Sequence, residues 1–305
     1  MSAIGLTGFY LGPKQGECVH RNIMFWRTNV ESTQLRQNLY MLRAYGTSLI
    51  NANTVALIGE EGVLLVDPGH PEILSKERAA LPGLRDSRVR FVIDSHAHPD
   101  HACANGELFE EGAIVVGHTG IRNYFREAGE GGLIPRPPGD TPQVSYDNQM
   151  TLGFDGEQVR LIHPGRAHTD ADTITVFQRA NVISAGDLLV THGFPYLKGG
   201  SIDGYIAAQE LILRLSNDKT LIVPGHGPLA RRADVERSVR RMREVRRRIA
   251  GLIAEGLSKE QVVARHPLVD LDPFVGPPEE RREITSPDAV AGHVYASLME
   301  KSPRL

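Results

Sequence analysis

Short apolar runs separated by glycine-containing turns recur along the first half of the chain, and they predict β-strands. The run over 63–66, Val-Leu-Leu-Val, is apolar on both faces, which is typical of a strand buried between two layers. A helix is predicted over 71–81, and the strand after it completes a strand–helix–strand unit. Residues 127–142 are dense in glycine and proline and predict a loop. The predicted strands of this half are 38–43, 48–53, 54–58, 63–66, 89–94 and 113–117.

The second half repeats this layered pattern and then becomes helical. Its predicted strands are 158–163, 173–177, 181–185 and 221–223. Ser201 is a typical N-cap residue, and apolar residues at helical spacing follow it to about Leu215. Beyond Pro228 an apolar stripe predicts a long helix, and shorter helices are expected to begin near Ser258 and Ser286. The whole pattern predicts an α/β fold built from layers.

Three segments follow from these patterns. Residues 1–37 show no sustained period and contain the only tryptophan, Trp26, so we expect a lead-in segment that packs on the domain. Residues 38–230 are predicted to form the layered domain, and residues 231–305 a C-terminal helical extension. The last helices of that extension either cover the domain or form the contact of a homodimer, and the sequence leaves both alternatives open.

The composition is ordinary for a soluble globular protein, with 41% hydrophobic and 23% charged residues. A net charge of -3 argues against a general affinity for nucleic acid. The first twenty residues lack the basic and apolar regions of a secretory signal, and no run approaches the roughly 18 apolar residues of a membrane span. We therefore expect a cytoplasmic protein without a membrane partner.

Nine arginines lie between Arg231 and Arg248 on the predicted long helix. They indicate either an anion-binding face or an ordinary solvated helix face. The solvated face is the favoured hypothesis, because Glu236 and Glu244 interleave with the arginines and no aromatic residue is present to stack on bases.

Three imidazoles and a carboxylate lie within six residues directly after the strand predicted over 89–94. They are His96, His98, Asp100 and His101. Side chains two residues apart share one face of a strand, so the first two histidines can bind one ion. Asp100 and His101 follow a proline that cannot continue the strand, and they can turn toward a second ion. Imidazole and carboxylate are ligands that zinc prefers, so half of a two-metal site is indicated.

Other ligands must then come from distant segments, again at strand ends next to glycine or a tight turn. Three residues meet this requirement: His168 in Gly-Arg-Ala-His-Thr-Asp, Asp187 after an apolar run, and His226 between two glycines. Each is weak evidence alone, because a single histidine after a strand is more often structural. Their order after the first cluster makes the combined signal strong.

This order and spacing resemble the metallo-β-lactamase superfamily of hydrolases, whose pattern is HxHxDH, a histidine before threonine, Gly-Asp and Gly-His. The strand that ends in Asp67-Pro68-Gly69 adds a fifth motif, and the resemblance covers roughly 38–228. It implies an αββα sandwich, to which the C-terminal helices are added.

The resemblance also implies the ligand set of two zinc ions, with iron or manganese as alternative metals. His96, His98 and His168 would bind one ion. Asp100, His101 and His226 would bind the other, and Asp187 would bridge the two.

Four other acidic or histidine residues are candidates for supporting roles at the site. Asp67 is expected either to support the site through hydrogen bonds or to have a structural role at its strand end. Asp94 and Asp170 are candidates for orienting ligand imidazoles. His192 is a candidate substrate contact, whereas the remaining histidines without a matching position, His70, His118 and His163, are expected to be core or surface residues.

The implied function is hydrolysis of a lactam, lactone or thioester bond of a small acyl substrate, without a serine or cysteine nucleophile. A water bridging two divalent ions has its pKa lowered from about 15.7 toward 7, and the resulting hydroxide attacks the carbonyl. Asp100 is the candidate catalytic residue, because it can orient that hydroxide or carry its proton.

Two alternatives remain open in the sequence. Familiar zinc β-lactamases carry cysteine or serine near the position of Asp187, whereas glyoxalase II and lactonases carry a bridging aspartate; a weak β-lactamase activity is nevertheless chemically available. A persulfide dioxygenase of this fold binds one iron through the equivalents of His96, His168 and Asp187, all of which are present.

Overall fold

A computed structural model describes residues 28–46, 52–126, 138–274 and 282–300. Within these residues, two β-sheets pack face to face and helices cover the outer face of each sheet. Most of the predicted lead-in with Trp26, most of the strand expected over 48–53 and most of the loop expected over 127–142 lie outside the described residues.

The first sheet has seven strands, which neighbour one another in sequence order. The first four run antiparallel, and from the fourth to the seventh the pairing is parallel. The strands are β1 (Asn29–Arg36), β2 (Leu39–Tyr45), β3 (Asn53–Gly59), β4 (Gly62–Val66), β5 (Val89–Ile93), β6 (Ile114–His118) and β7 (Val144–Tyr146).

The second sheet has five strands in the spatial order β12, β11, β10, β9, β8. They are β8 (Gln149–Phe154), β9 (Glu157–Ile162), β10 (Ile174–Phe177), β11 (Val182–Ser184) and β12 (Leu221–Val223). The pairing is antiparallel except between β11 and β12, which are parallel and place Ile183 opposite Ile222. Both of these strands therefore end at the same edge of the sheet.

Nine helices are described, several of them short. They are α1 (Pro71–Ala80), α2 (Pro82–Asp86), α3 (Pro99–Ala102), α4 (Asn105–Glu110), α5 (Thr119–Arg126), α6 (Ile202–Leu215), α7 (Arg232–Ala254), α8 (Lys259–Ala264) and α9 (Pro287–Met299).

The alternation along β4 explains why its sequence is apolar throughout. Leu64 and Val66 point into the core between the two sheets, where they join Phe177 of the second sheet. Val63 and Leu65 point the other way, into the core under α1, α2 and α4. A strand covered on both faces needs apolar residues at every position, so the predicted αββα sandwich is confirmed.

The C-terminal helices cover the second sheet. Val245 of α7, Val262 of α8 and Val290 of α9 belong to the same apolar core as Ile183 of β11. Of the two alternatives left open by the sequence, covering the domain is therefore the one that the structure contains. A homodimer through these helices stays a prediction, and it cannot use the apolar side chains that are already buried here.

Serine caps begin three helices where the sequence predicted them. The Ser201 hydroxyl accepts a hydrogen bond from the Gly204 amide, Ser258 from Gln261, and Ser286 from Ala289. Each bond satisfies a backbone N–H that has no partner inside its helix.

Several elements were not predicted. β1 lies inside the segment that shows no sustained period, because it is an edge strand whose side chains, apart from Leu35, are mostly exposed. β7 and β8 are likewise largely exposed, and α2, α4 and α5 are too short for a clear period. Pro82 and Gly83, directly after the helix predicted over 71–81, begin a further helix, α2, since proline is well suited to the first turn of a helix.

The arginines of α7 are largely neutralised by neighbouring carboxylates. Arg243 pairs with Glu210 at 2.6 Å, and Arg248 pairs with Asp270 at 2.6 Å. Six of the nine form such ion pairs within the described residues, the others being Arg232, Arg237, Arg246 and Arg247. This pairing supports the solvated helix face, although the absence of a nucleic-acid partner stays a prediction.

In the part of the chain that the structure describes, no helix combines the length and the apolar character that crossing a membrane requires. The cytoplasmic location expected from the sequence stays a prediction.

Candidate metal centre

The first histidine cluster lies where β5 leaves the first sheet. His98 is the N-cap of α3, and Pro99 occupies the first position of that helix, where its missing N–H costs nothing. The amide of His101 donates to the carbonyl of His98 at 3.0 Å, so the short helix turns Asp100 and His101 back toward the strand end. One strand, one proline and one helical turn thus bring four donors together.

The other three predicted ligands arrive at the same edge from the second sheet. His168 lies between β9 and β10, Asp187 lies in a short 3₁₀ turn after β11, and His226 directly follows the strand β12 and its Pro-Gly. Since β11 and β12 run parallel, their carboxyl ends deliver Asp187 and His226 side by side.

His96, His98, His168 and Asp187 form one group of donors. The Nε2 atom of His96 lies 2.9 Å from Nδ1 of His98, and Nε2 of His168 lies 3.0 Å from the same Nδ1. Oδ2 of Asp187 lies 3.4 Å from His168 Nε2. One donor atom from each of these residues falls within 4.8 Å of all the others.

Asp100, His101 and His226 form the second group, again with donor atoms within 4.8 Å of one another. Oδ2 of Asp100 lies 3.4 Å from Nε2 of His226. The second oxygen of Asp187, Oδ1, lies 3.3 Å from His101 Nε2 and 3.2 Å from His226 Nε2. Asp187 therefore faces both groups, with one oxygen toward each.

The protonation states of the three histidines in the first group suit ligands. Burial lowers the pKa of His96 well below its usual value, and it lowers the pKa of His98 to about 3; neighbouring histidines act in the same direction. The pKa of His168 is also lowered by burial. These imidazoles are neutral at pH 7 and can offer a lone pair to a cation.

The carboxylates are ionised. Burial acts to raise the pKa of Asp100, but His101, His226 and Arg282 outweigh it and bring the value to about 2. Burial also opposes ionisation of Asp187, whose pKa the surrounding histidines nevertheless hold well below its usual value. Asp100 of the second group and Asp187, which faces both groups, are thus both anionic.

Two buried atoms at the centre test whether this donor set fits metal ions. Nε2 of His101 and Oδ1 of Asp187 are both buried and lie 3.3 Å apart, but neither atom forms a hydrogen bond. A buried polar atom without a partner is costly, and a bound cation would remove that cost for both. Imidazole and carboxylate donors at this spacing fit divalent cations.

Asp67 and Ser95 hold the ligands from behind. Oδ2 of Asp67 lies 3.0 Å from Nδ1 of His101, and Oδ1 accepts the backbone N–H of Ser95 at 2.7 Å. The Ser95 hydroxyl lies 3.0 Å from Nδ1 of His96. Of the two roles expected for Asp67, the structure supports the hydrogen-bonding role, because its carboxylate contacts a candidate ligand directly.

The loop that carries His226 is fixed by Asn53 and by a glycine. The Asn53 side chain donates to the carbonyls of Pro224 and Gly227 at 2.8 and 2.9 Å. A Cβ at Gly225 would lie 2.0 Å from Oδ1 of Asp187, so only glycine allows the two loops to approach this closely.

The orienting role expected for Asp94 and Asp170 stays a prediction, and the structure shows one contact of each. Asp94 accepts a hydrogen bond from Asn105 at 2.8 Å. Asp170 is near His118, whose pKa it raises slightly against the larger effect of burial. The turn that carries His168 is instead held by Asp172, whose carboxylate accepts the Thr169 amide at 2.9 Å and its hydroxyl at 2.7 Å.

The histidines without a motif position are separate from the donor groups. His118 and His163 stack on each other with ring centroids 3.8 Å apart, and His70 is buried next to Glu72. His192 lines the cleft described next, which is compatible with the expected contact with a substrate. The contact itself stays a prediction.

A cleft of about 130 Å³ opens beside Asp187 and His226. Its lining includes the aromatic residues Phe194, Tyr196 and Phe274 and the basic residues Arg43 and Arg282. Arg282 comes from the segment just before α9 and lies 3.6 Å from Oδ2 of Asp100. The cleft is the access to the donor groups and can bind a molecule with both apolar and anionic parts.

Sequence reasoning missed Arg282, Arg43 and Asn53. No motif surrounds any of them, and each reaches the site through a contact between segments far apart in the chain. Ser95 was also missed, although its position next to His96 is a local signal for a residue of the site.

An αββα sandwich with two adjoining groups of histidine and aspartate donors at one sheet edge defines a class of metal-binding proteins. The chain belongs to the metallo-beta-lactamase superfamily, a family of metal-dependent hydrolases, whose family model matches residues 48–226.

Known relatives are distant. A metallo-beta-lactamase type 2 from Elizabethkingia meningoseptica is 22% identical over 164 residues, which are 52% of this chain and 62% of the relative. A solved metallo-beta-lactamase from Pontibacter korlensis is 16% identical, with a TM-score of 0.59 over 70% of this chain and 99% of that one. A sec-alkylsulfatase from a Pseudomonas species is 16% identical, with a TM-score of 0.64 over 88% of this chain and 50% of that one. These two structures share the fold with this chain.

Proposed function

We propose that the protein is a dinuclear zinc-dependent hydrolase that cleaves a lactam, lactone or thioester bond of a small acyl substrate. The observation that carries the proposal is the position of Asp187, which faces one donor group with each carboxylate oxygen. A carboxylate placed in this way can hold two cations a few ångströms apart, as two-metal sites require.

Zinc is the proposed metal because the donors are imidazole nitrogens and carboxylate oxygens. His96, His98 and His168 would hold one ion, and Asp100, His101 and His226 the other, with Asp187 between them. When bound, the pair supplies a nucleophilic water at neutral pH and polarises the scissile carbonyl.

Asp100 is the proposed catalytic residue of the chain. Its carboxylate is ionised at neutral pH, with a pKa of about 2, and it lies between His226 and Arg282. An ionised carboxylate beside the donor atoms can orient the attacking water and accept its proton. Arg282 opposes protonation of Asp100 and provides a cation for an anionic group of the substrate.

A sulfate-ester hydrolase is a second candidate. Arg43 and Arg282 line the cleft, and guanidinium binds planar and tetrahedral oxyanions well. Arg43 pairs with Glu31 at 2.7 Å, so Arg282 is the main candidate to bind a sulfate group. The similarity in fold to a sec-alkylsulfatase agrees with this choice of substrate.

The decisive experiment is metal analysis of the purified protein together with hydrolysis assays on a lactam, a lactone, a thioester and a secondary alkyl sulfate. We expect two zinc ions per chain and one preferred acyl substrate. A His96→Ala, His98→Ala double variant should lose metal and activity together, whereas His266→Ala, at an exposed histidine paired with Asp288, should keep both.

Three outcomes would contradict the proposal. Full metal content and rate in the double variant would remove the histidines from the mechanism. Preference for the alkyl sulfate would favour the second candidate. One iron per chain with oxygen consumption on a persulfide would identify the dioxygenase alternative, which needs only His96, His168 and Asp187.

A further inference from the structure

A second cavity, of about 410 Å³, lies behind the metal centre, between the loop 198–200, the beginning of α8 and one side of α9. Its lining includes the side chains of Lys198, Lys259, His293 and Glu300 and the backbone of Gly199 and Gly200. We refer to it as the lysine cavity. It shares no lining residue with the cleft that opens at Asp187.

The charge in the lysine cavity is unbalanced. Within the described residues, neither Lys198 nor Lys259 forms an ion pair. The carboxylate of Glu300, which also lines the cavity, is engaged by Arg166 at 2.7 Å. Two lysines thus line one cavity, and the carboxylate in its lining already pairs with Arg166.

The pKa of His293 reflects the positive charge of the two lysines. Burial lowers its pKa to about 4, and Lys259 and Lys198 act in the same direction. Its Nδ1 atom is buried without a hydrogen-bond partner. His293 is therefore a neutral imidazole next to two cations. Its buried Nδ1 can form one more hydrogen bond with a polar ligand.

Glycines make room for the lysines. A Cβ at Gly292 in α9 would lie 3.1 Å from Cε and 3.9 Å from Nζ of Lys259, so the absence of a side chain lets the lysine lie flat against the helix. The Arg166 guanidinium holds the loop on the opposite side by donating to the Gly199 carbonyl at 2.8 Å. The lysine cavity is therefore shaped by specific contacts on both sides.

One aromatic ring separates the lysine cavity from the metal centre. The ring of His293 lies 5.3 Å from that of Tyr196, and the Tyr196 ring lies 5.8 Å from His98 and 6.5 Å from His168. Tyr196 also lines the cleft. An anion in the lysine cavity would thus be only two ring contacts away from the candidate ligands.

We propose that the lysine cavity is an oxyanion site, which binds a phosphate or carboxylate group between Lys198, Lys259 and His293. The group belongs either to a free anion or to the tail of the acyl substrate, whose other end would reach the cleft past Tyr196. The second source rests on the proposed hydrolase function, whereas the first does not.

The test measures binding of inorganic phosphate by calorimetry to the metal-loaded protein and to a Lys198→Met, Lys259→Met variant. We expect at least about tenfold weaker binding in that variant, since a charged hydrogen bond contributes roughly this factor. Lys219→Met, at an exposed lysine, is the matched control and should bind like the wild type. Gly292→Ala should weaken binding without removing any charge, because its methyl group displaces Lys259.

The His96→Ala, His98→Ala variant separates this site from the metal centre. If the lysine cavity is the site, the His96→Ala, His98→Ala variant should still bind phosphate. Loss of phosphate binding in that variant, together with unchanged binding in the Lys198→Met, Lys259→Met variant, would overturn the proposal. The Lys198→Arg, Lys259→Arg variant keeps both charges and should bind phosphate. This result would show that the loss of charge, and not a folding defect, weakens binding in the Lys198→Met, Lys259→Met variant.

A pair of thioesters, with and without a terminal carboxylate, distinguishes the two sources. If the tail is the ligand, the double lysine variant should raise KM about tenfold for the anionic thioester only and leave kcat unchanged. Equal kinetics on both thioesters with weaker phosphate binding would assign the lysine cavity to a free anion. If no acyl substrate is hydrolysed at all, the proposed function fails while phosphate binding still tests the lysine cavity.

Discussion

Oδ2 of Asp67 lies 3.0 Å from Nδ1 of His101, although the two residues are 34 positions apart in sequence and both are buried. The contact leaves Nε2 of His101 directed at Asp187, 3.3 Å from its Oδ1. Burial acts to lower the pKa of His101, but Asp67 and Asp187 outweigh it and raise the pKa well above its usual value. A carboxylate behind a ligand imidazole both orients the ring and increases its basicity.

The first prediction concerns this carboxylate. Asp67→Asn keeps the shape of the side chain but removes its charge, so we expect metal affinity to fall by about 10- to 100-fold. Competition with a chelator of known affinity measures the change. Asp218→Asn, at an exposed aspartate, is the control. Unchanged affinity in Asp67→Asn would show that the contact with His101 does not tune the ligand.

The second prediction concerns the close approach of two loops. Gly225→Ala places a Cβ about where Oδ1 of Asp187 lies, and this carboxylate must move. We expect loss of at least one metal ion per chain and loss of activity, measured by metal analysis and assay.

Gly251→Ala is the matched control for that substitution. Gly251 lies inside α7, where a Cβ would meet nothing within 4 Å. Alanine should stabilise this helix by up to about 1 kcal/mol and leave the metal content unchanged. If the two variants bind metal equally well, the space at Gly225 is not what positions Asp187.

The third prediction concerns Asn53, which anchors the loop of His226. Asn53→Ala removes one buried and one partly buried hydrogen bond and leaves the carbonyls of Pro224 and Gly227 without that donor. The free energy of unfolding should therefore fall by about 1–3 kcal/mol. We also expect weaker binding of one of the two ions, measured by metal titration. Asn148→Ala, at an exposed position, should change neither quantity. A loss of stability with unaltered metal binding would assign Asn53 a role in folding alone.

The fourth prediction concerns pH and a buried carboxyl in α1. Burial raises the pKa of Glu77 in α1 to about 8, against a small opposite effect of a hydrogen bond with Thr54. Between pH 4.5 and 8 the unfolded chain therefore ionises this group while the folded protein keeps the proton. The free energy of unfolding falls with rising pH in this window by up to about 1.4 kcal/mol per pH unit from this group.

Urea unfolding of the wild type and of Glu77→Gln across this window measures the difference. Glu77→Gln has no titrating group at this position. Its free energy of unfolding relative to that of the wild type should therefore rise from pH 5 to pH 8 and stay constant above pH 8. Comparison of the two proteins cancels other buried carboxyls such as Asp172, whose pKa burial raises to about 7. Glu110→Gln is an exposed control, and a constant difference between Glu77→Gln and the wild type would contradict the assignment.

The local part of the metal centre was predictable because it depends on short-range rules. The spacing of His96, His98 and His101 follows from a strand end, a proline and one helical turn, and Pro99 marks the change between them. The α6 and α9 helices were likewise indicated by their serine caps. By contrast, β1 could not be recognised, since an exposed edge strand carries no alternation of apolar residues.

The sequence by itself predicted a layered α/β fold and, through its resemblance to the metallo-β-lactamase superfamily, the αββα sandwich and seven candidate ligands, because ligand-type side chains at strand ends leave a local signal. Only the tertiary structure decided that Asn53 holds the loop of His226, that Arg282 reaches Asp100, and that the C-terminal helices close the second sheet. It also placed Lys198 and Lys259 around one cavity. Contacts of this kind join segments tens to hundreds of residues apart, and they depend on which strand edges and helix faces meet, a property that no local pattern of residues contains.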